Sequence, residues 1–300
     1  MKTPAKIMLI AAALLLATPS NAQSDVSDES EELKLAALEA LIAAPADKSL
    51  PLVTKVLEGN HSSEVKERAL FILSQIDEPE AHSTLLRIAR ENENDLGLEA
   101  VRMIGISGDE ESLANLASIY DSGNSAAREA VLEAYMIAGD KQSVFKIAMT
   151  AEGDDFDTAV QMLSVMGARE ELRELRGKMG VSEALIEAYA ISGDFESLRE
   201  LAFDGSDVDL QEQAIQAMGI VGGEDVNSTL VEIYRNATSN QIREAALEGL
   251  LISGDDAGIL ELYRSSQDPS EKKELLQHLV MTGSDEVWNI IDSALDGAHQ

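Results

Sequence analysis

The chain's imidazoles are His61, His82, His278 and His299, and Cys is absent from its 300 residues. A catalytic zinc site needs ligands at a spacing such as His-Glu-x-x-His on one helix face, and none of the four histidines stands in such a pattern. Without Cys there is no thiolate metal site, no disulfide and no thiol nucleophile. Two acidic stretches invite a calcium reading: Glu152-Gly-Asp-Asp-Phe-Asp157 and Asp204-Gly-Ser-Asp-Val-Asp209. Hard cations want several converging carboxylate oxygens, but both stretches lack the ligand spacing and the closing bidentate Glu of a calcium loop. They read instead as turns between helices, where Asp caps and bends the chain. No Gly-x-Ser-x-Gly, no Ser-x-x-Lys with a partner motif and no phosphate-cradling glycine loop occurs. With 55 Asp and Glu, a pair of carboxylates on one face is expected by chance and points to no glycosidase chemistry. The expectation is a protein that is not an enzyme, with no catalytic, cofactor-binding or metal residues and no cofactor.

The charge sharpens that exclusion. Those 55 acids face 23 Lys and Arg, a net charge of −32. Nucleic acid requires clustered cations to neutralise phosphates, and an anionic membrane surface requires the same, so neither is an expected partner.

Lys2 and Lys6 precede an unbroken apolar run from Ile7 to Ala17, and Ser20-Asn21-Ala22 offers a small-x-small cleavage site. This is the pattern of a secretory signal, residues 1–22, too short to span a bilayer, which takes about 20 apolar residues. Cleavage would remove two lysines and no acid, leaving a mature chain of charge −34. That chain is expected in the periplasm, with full secretion as the alternative, and without membrane insertion. Residues 23–30 read as a flexible acidic leader, and 31–298 as one continuous domain.

The elements of that domain repeat. Strings ending in Gly-Asp recur as Ile106-Ser-Gly-Asp109, Ile137-Ala-Gly-Asp140, Ile191-Ser-Gly-Asp194 and Ile252-Ser-Gly-Asp255, with looser copies at Gly167, Gly222 and Gly283. Asp77 and Pro45 mark two degenerate members upstream. Before each marker lies an amphipathic helix: Ala127-Arg-Glu-Ala-Val-Leu-Glu-Ala-Tyr135 aligns without gaps to Ile242-Arg-Glu-Ala-Ala-Leu-Glu-Gly-Leu250 and Val65-Lys-Glu-Arg-Ala-Leu-Phe-Ile-Leu73. Its apolar residues fall at i, i+3, i+4 and i+7. The glycine suits a left-handed helix end, and the following Asp suits the cap of the next helix. After the marker comes a second amphipathic stretch such as Ser112-Leu-Ala-Asn-Leu-Ala-Ser-Ile-Tyr120. A helix pair of about 30 residues cannot bury its own apolar face, and stacking on neighbours solves that. The expected fold is all-α, an α-solenoid of about nine two-helix repeats. Tyr120, Tyr234 and Tyr263 share one repeat position and Tyr135 and Tyr189 another, which makes them packing residues and not a binding cage.

These helices resemble HEAT repeats, in particular the short bacterial class related to phycobilin-lyase HEAT-like repeats. That family's second helix reads Val-Arg-x-x-Ala-Ala-x-Ala-Leu-Gly, and here its counterparts are Ile242-Arg243-Glu-Ala-Ala-Leu247, Ala127-Arg128-Glu-Ala-Val-Leu132 and Val65-Lys66-Glu-Arg-Ala-Leu70. The basic position recurs at Lys34, Lys66, Arg128, Arg243 and Lys272 and is lost at Gly97, Phe156, Ser182 and Gln211. The resemblance implies the solenoid over about nine-tenths of the chain. Family members range from scaffolds to chromophore lyases, so it does not choose an activity.

The solvent-side column of the helices that precede the markers runs Glu39, Phe71, Arg102, Glu133, Gln161, Glu187, Gln216, Glu248, Gln277. It is the candidate face for binding another protein, whose basic segment would answer the acidic surface. The leading expectation is thus a monomeric, exported scaffold or adaptor in the cell envelope. The alternatives are a lyase-like or small-ligand-binding protein on the same fold, and a self-associating envelope component.

Overall fold

Each Gly-Asp marker is a helix end followed at once by a helix start. In the computed structural model, Gly108, Gly139, Gly193 and Gly254 close their helices in the left-handed region, at φ 68°, 74°, 66° and 72°. The aspartates then cap the next helix: Asp109, Asp140, Asp194 and Asp255 accept the amide N–H of Ser112, Ser143, Ser197 and Gly258. The structure describes residues 25–91, 94–283 and 285–296. The signal-peptide segment, residues 1–22, and His299 lie outside them.

The described residues form 18 helices, two for each of the nine expected repeats. The helices preceding the markers, here called second helices, are α1 (Asp25–Leu41), α3 (Ser63–Ser74), α5 (Asp95–Ser107), α7 (Ser125–Ala138), α9 (Asp154–Val165), α11 (Glu183–Ser192), α13 (Val208–Val221), α15 (Asn240–Ser253) and α17 (Pro269–Thr282). Alternating with them are the first helices: α2 (Ala46–Glu58), α4 (Pro79–Glu91), α6 (Glu110–Ser122), α8 (Lys141–Ala148), α10 (Arg169–Met179), α12 (Phe195–Ala202), α14 (Glu224–Asn236), α16 (Asp256–Ser265) and α18 (Asp285–Asp296). The fold is the all-α solenoid that the repeat pattern predicts.

Two boundaries differ from the sequence reading. Helix α1 begins at Asp25, inside the segment expected to be a leader. The single domain expected over 31–298 divides into two compact units, Met1–Ile72 and Leu73–Gln300.

In the first unit Leu38 of α1, Leu50, Val53 and Leu57 of α2, and Val65, Ala69 and Leu70 of α3 are buried. In the second unit Leu85, Ile104, Leu116, Leu132, Leu163, Leu172 and Leu185 are fully buried, each from a different helix between α4 and α11. Tyr135 and Tyr189 occupy the same repeat position. Each buries its ring and donates its hydroxyl hydrogen to a carbonyl of the preceding first helix, Leu113 or Leu172, at 3.2 Å. The other tyrosine position meets the basic one: Arg243 lies 5.7 Å from the Tyr234 ring centre and Lys272 5.4 Å from that of Tyr263. Two of the five HEAT-like basic residues, Arg243 and Lys272, thus stand as cations over tyrosine faces, whereas Arg128 pairs with Asp155 at 3.1 Å.

In the second unit the second helices pack side by side more closely than the first helices do. A Cβ on Gly219 of α13 would sit 2.4 Å from the carbonyl oxygen of Gly249 in α15, and one on Gly105 of α5 2.6 Å from that of Ala134 in α7. Glycine at these two positions lets helix backbones touch.

Candidate functional site

Seven of the nine predicted face residues, Arg102 to Gln277, lie in the second unit, six residues before their markers on consecutive second helices. Glu39 and Phe71 belong to the first unit, where Glu39 pairs with Arg68 and the Arg68 guanidinium lies 5.8 Å from the Phe71 ring centre. Phe71 is half-buried.

Several of the seven join neighbouring helices. Arg102 donates from Nε to Glu133 at 2.7 Å and from Nη1 to Glu99 at 3.4 Å. The hydrogen bond to Glu133 holds its guanidinium above the ordinary range, against the desolvation that opposes it. Gln216 donates to Glu248 at 2.6 Å. Gln161, Glu187, Glu248 and Gln277 are exposed.

One helical turn further on, four residues C-terminal, the sequence reading missed a row. Ile106, Ile137, Val165, Ile191, Ile220, Ile252 and Met281 stand two residues before seven successive glycines, and all are exposed, from 41% for Ile106 to 73% for Met281. Single exposed apolar residues are ordinary on any protein. Here they recur once per repeat on helices that pack against each other. The signal was in the markers themselves. The buried stripe of α7 holds Val131, Leu132, Ala134 and Tyr135, and Ile137 falls off it. In the sequence the isoleucines stand out only as part of a turn signature.

One turn before the predicted column lies a third row, also missed: Glu129, Asp157, Glu183, Glu212 and Glu244 on α7, α9, α11, α13 and α15. All but Glu212 are exposed, and Glu212 accepts from Gln241 at 2.6 Å. Positions i, i+4 and i+8 share one helix face across about 12 Å of axis. From α7 to α15 the face therefore carries an acidic row, a Glu/Gln row and an apolar row. It dips between α11, α13 and α15 into a groove of about 430 Å³ that takes in Glu187, Ile191, Gln216, Ile220 and Ile252.

Most of the other chemistry-bearing groups are engaged in the fold, although the buried Nδ1 of His61 has no hydrogen-bond partner. His82 Nδ1 lies 3.3 Å from Asp109, and Asp109 in turn accepts the Ser112 amide at 2.8 Å. Asp109 thus stands between the imidazole and the serine as a cap, held below its usual range by Ser112. His278 Nδ1 meets the Glu274 carbonyl at 3.0 Å. Asp204 and Asp207 accept turn amides from Ser206 and from Asp209 and Leu210, while Asp154, Asp155 and Asp157 fill the first turn of α9. Among the described residues no group of three or more His, Asp or Glu is placed to hold a metal ion, and no helix is long and apolar enough to cross a membrane.

A second hollow, of about 730 Å³, opens between α6 and α8, with Tyr120, Asp121, Tyr135, Asp140 and Lys146 on its walls. Helix α8 on one side of it is 8 residues long and α6 on the other 13.

Fold and face together define a class: an α-solenoid of stacked helix pairs, one face of which bears regular rows of solvent-exposed side chains. Residues 23–97 and 62–136 match the family model for HEAT repeats, so the repeats read in the sequence are HEAT repeats there. No curated protein matches the chain. Among solved structures it is similar to the complex of CpcE and CpcF of phycocyanin lyase from Nostoc sp. PCC7120, at 18% identity and a TM-score of 0.29, covering 81% of this chain and 93% of that one. At that score the likeness carries no argument about activity. The expectation that the protein is not an enzyme is nonetheless corrected: the structure it matches is that of a lyase, so a HEAT-like repeat chain does not by its nature exclude catalysis.

Proposed function

We propose that this protein is an exported HEAT-repeat protein that docks a partner polypeptide along the second-helix face of the second unit. The observation that carries the reading is the apolar row, seven exposed aliphatic side chains in seven consecutive repeats, beside polar side chains held in register. Regular exposed apolar patches mark binding surfaces, and a few anchors in such a patch supply most of the affinity. Export is supported by Lys2, Lys6, the apolar run from Ile7 to Ala17 and Ser20-Asn21-Ala22. N-terminal sequencing of the protein from its cell should then begin at Gln23.

A photo-crosslinking residue at Ile191, on the row, and in a separate variant at Glu196, on first helix α12, tests the docking face in the producing cell. Docking predicts a discrete adduct from position 191 alone. Equal labelling at both positions, or none at either, would refute it.

The second reading is a small-ligand-binding or lyase-like protein, and the hollow between α6 and α8 supports it, being of the size that small ligands occupy. It predicts a small molecule that survives purification of the wild type, visible by native mass spectrometry, and is lost in Ala117→Phe, which fills the hollow.

A further inference from the structure

The rows limit what the partner can be. From α7 to α15 the acidic row holds Glu129, Asp157, Glu183, Glu212 and Glu244, and none of the three rows holds a Lys or Arg over those five helices. Basic side chains reappear only at the ends, as Arg102 on α5 and Lys273 on α17. Acids in a first helical turn are ordinarily explained by the helix dipole. Glu129, Glu212 and Glu244 are each the fifth residue of their helix, so the dipole does not account for them. The face thus offers negative charge along one edge and apolar surface along the other, about 12 Å apart.

Spacing then selects the conformation. Packed helices stand about 8–10 Å apart, so each row repeats with about that period. A polyproline-type segment advances about 9.3 Å in a full turn of three residues, and presents the same side at each repeat. An α-helix crossing the layer uses about six residues, or about 600° of turn, for that distance and turns its side chains away at the next repeat. A β-strand repeats its side after about 6.6 Å, out of step as well. Resting on the docking face proposed above, we propose that α7 to α15 bind a cationic segment in a polyproline-type conformation, with an apolar residue at every third position and Lys or Arg at another third. The apolar residues sit on the isoleucine row, and the cations face the acidic row.

The test uses the full chain and a fluorescent peptide of five Pro-Leu-Lys triplets, with two controls: the same residues scrambled, and Pro-Leu-Glu triplets. Fluorescence anisotropy should show the Lys triplet peptide binding at least about tenfold tighter than either control. Its affinity should weaken as salt rises from about 50 to about 300 mM. It should also fall about tenfold in Ile191→Gln/Ile220→Gln and in Glu183→Gln/Glu244→Gln, with helix content by circular dichroism unchanged. Equal binding of the triplet and scrambled peptides would overturn the inference, because charge alone would then explain it. Binding that survives both double variants would overturn it too, because the site would lie elsewhere. The crosslinking at Ile191 separates the two proposals: an adduct with a partner lacking such a segment sinks the inference and leaves the docking face, whereas no adduct sinks both.

Discussion

The two helix layers of the second unit use their charges in opposite ways. In the first-helix layer, arginines reach from one repeat to the next: Arg176 to Glu200 at 2.8 Å, Arg235 to Glu261 at 2.6 Å, and Arg173 to the buried Asp194 through two nitrogens at 2.8 and 2.5 Å. In the second-helix layer from α9 to α15, the three rows of the outward face hold no cation, and the helices hold together through backbone contact, buried aliphatic packing and amide bridges such as Gln216 to Glu248. One layer is joined by arginine rungs, and the other leaves its apolar row and most of its acidic row exposed to solvent or a partner. The difference is testable because each layer should fail in its own way.

The largest expected effect is in the second-helix layer. Gly219→Ala forces a methyl carbon to within 2.4 Å of the Gly249 carbonyl oxygen, so α13 must move off α15. Such overpacking against backbone should cost about 3 kcal/mol in urea denaturation. Gly254→Ala, at the end of the same α15, meets no atom within 4 Å and suffers only its φ of 72°, for a cost of about 1 kcal/mol. Equal costs would mean that the close approach of α13 and α15 is not what orders this layer.

Next comes the buried rung of the first layer. Burial alone would raise the Asp194 carboxyl, but hydrogen bonds from Arg173, the Ser197 hydroxyl and the Ser197 amide, with the guanidinium charge, outweigh it and hold the group below its ordinary range. Its stabilisation is therefore complete above the unfolded carboxyl value and is lost as pH falls through the lower folded one. Asp255 caps the equivalent helix start with no arginine beside it, and burial raises it. The sign inverts there: the cost is full above the raised folded value and disappears as pH falls through it. Asp194→Asn should then lose about 2 kcal/mol at pH 7, less than a fully buried pair would because Arg173 is half exposed, and Asp255→Asn about zero. Matching losses would remove the argument that Arg173 makes the difference.

Smaller again is Tyr189→Phe. It keeps the buried ring and removes the 3.2 Å hydrogen bond to the Leu172 carbonyl, for a loss of about 1 kcal/mol. Burial pushes this phenol up to about 12, so the loss should be flat with pH through the neutral range.

These effects also mark what the sequence made legible. Gly139-Asp140 and its copies dictated a helix end and a cap in two residues, and the structure has both. The same local chemistry gave the helix pairs, the stacking and the tyrosine positions. Asp25 was unreadable as a helix start because an acidic, serine-containing stretch has neither an apolar stripe nor a capping signal to distinguish it from a leader. The division at Ile72 depends on which helices pack closely, and that is a property of three-dimensional contacts. The candidate face was half legible. The column from Arg102 to Gln277 lies on the predicted helices, but Arg102 and Gln216 turned out to bridge neighbours. The apolar row beside them was hidden by being part of the turn signature, since Ile-Ser-Gly-Asp reads first as an ending and only afterwards as a surface.

The smallest expected effect on stability belongs to that row. Ile191 and Ile220 are 55% and 65% exposed and border the groove between α11 and α13. Replacing both by Gln removes little buried surface and exchanges a β-branched residue for a better helix former. The double variant should therefore unfold within about 0.5 kcal/mol of the wild type. A loss of about 2 kcal/mol or more would show that the row packs against this chain itself, and the contrast between a joined layer and an available one would fail at its centre. Unchanged stability together with weakened binding of the Lys triplet peptide would leave binding as the remaining reason for seven apolar side chains in seven repeats to face water.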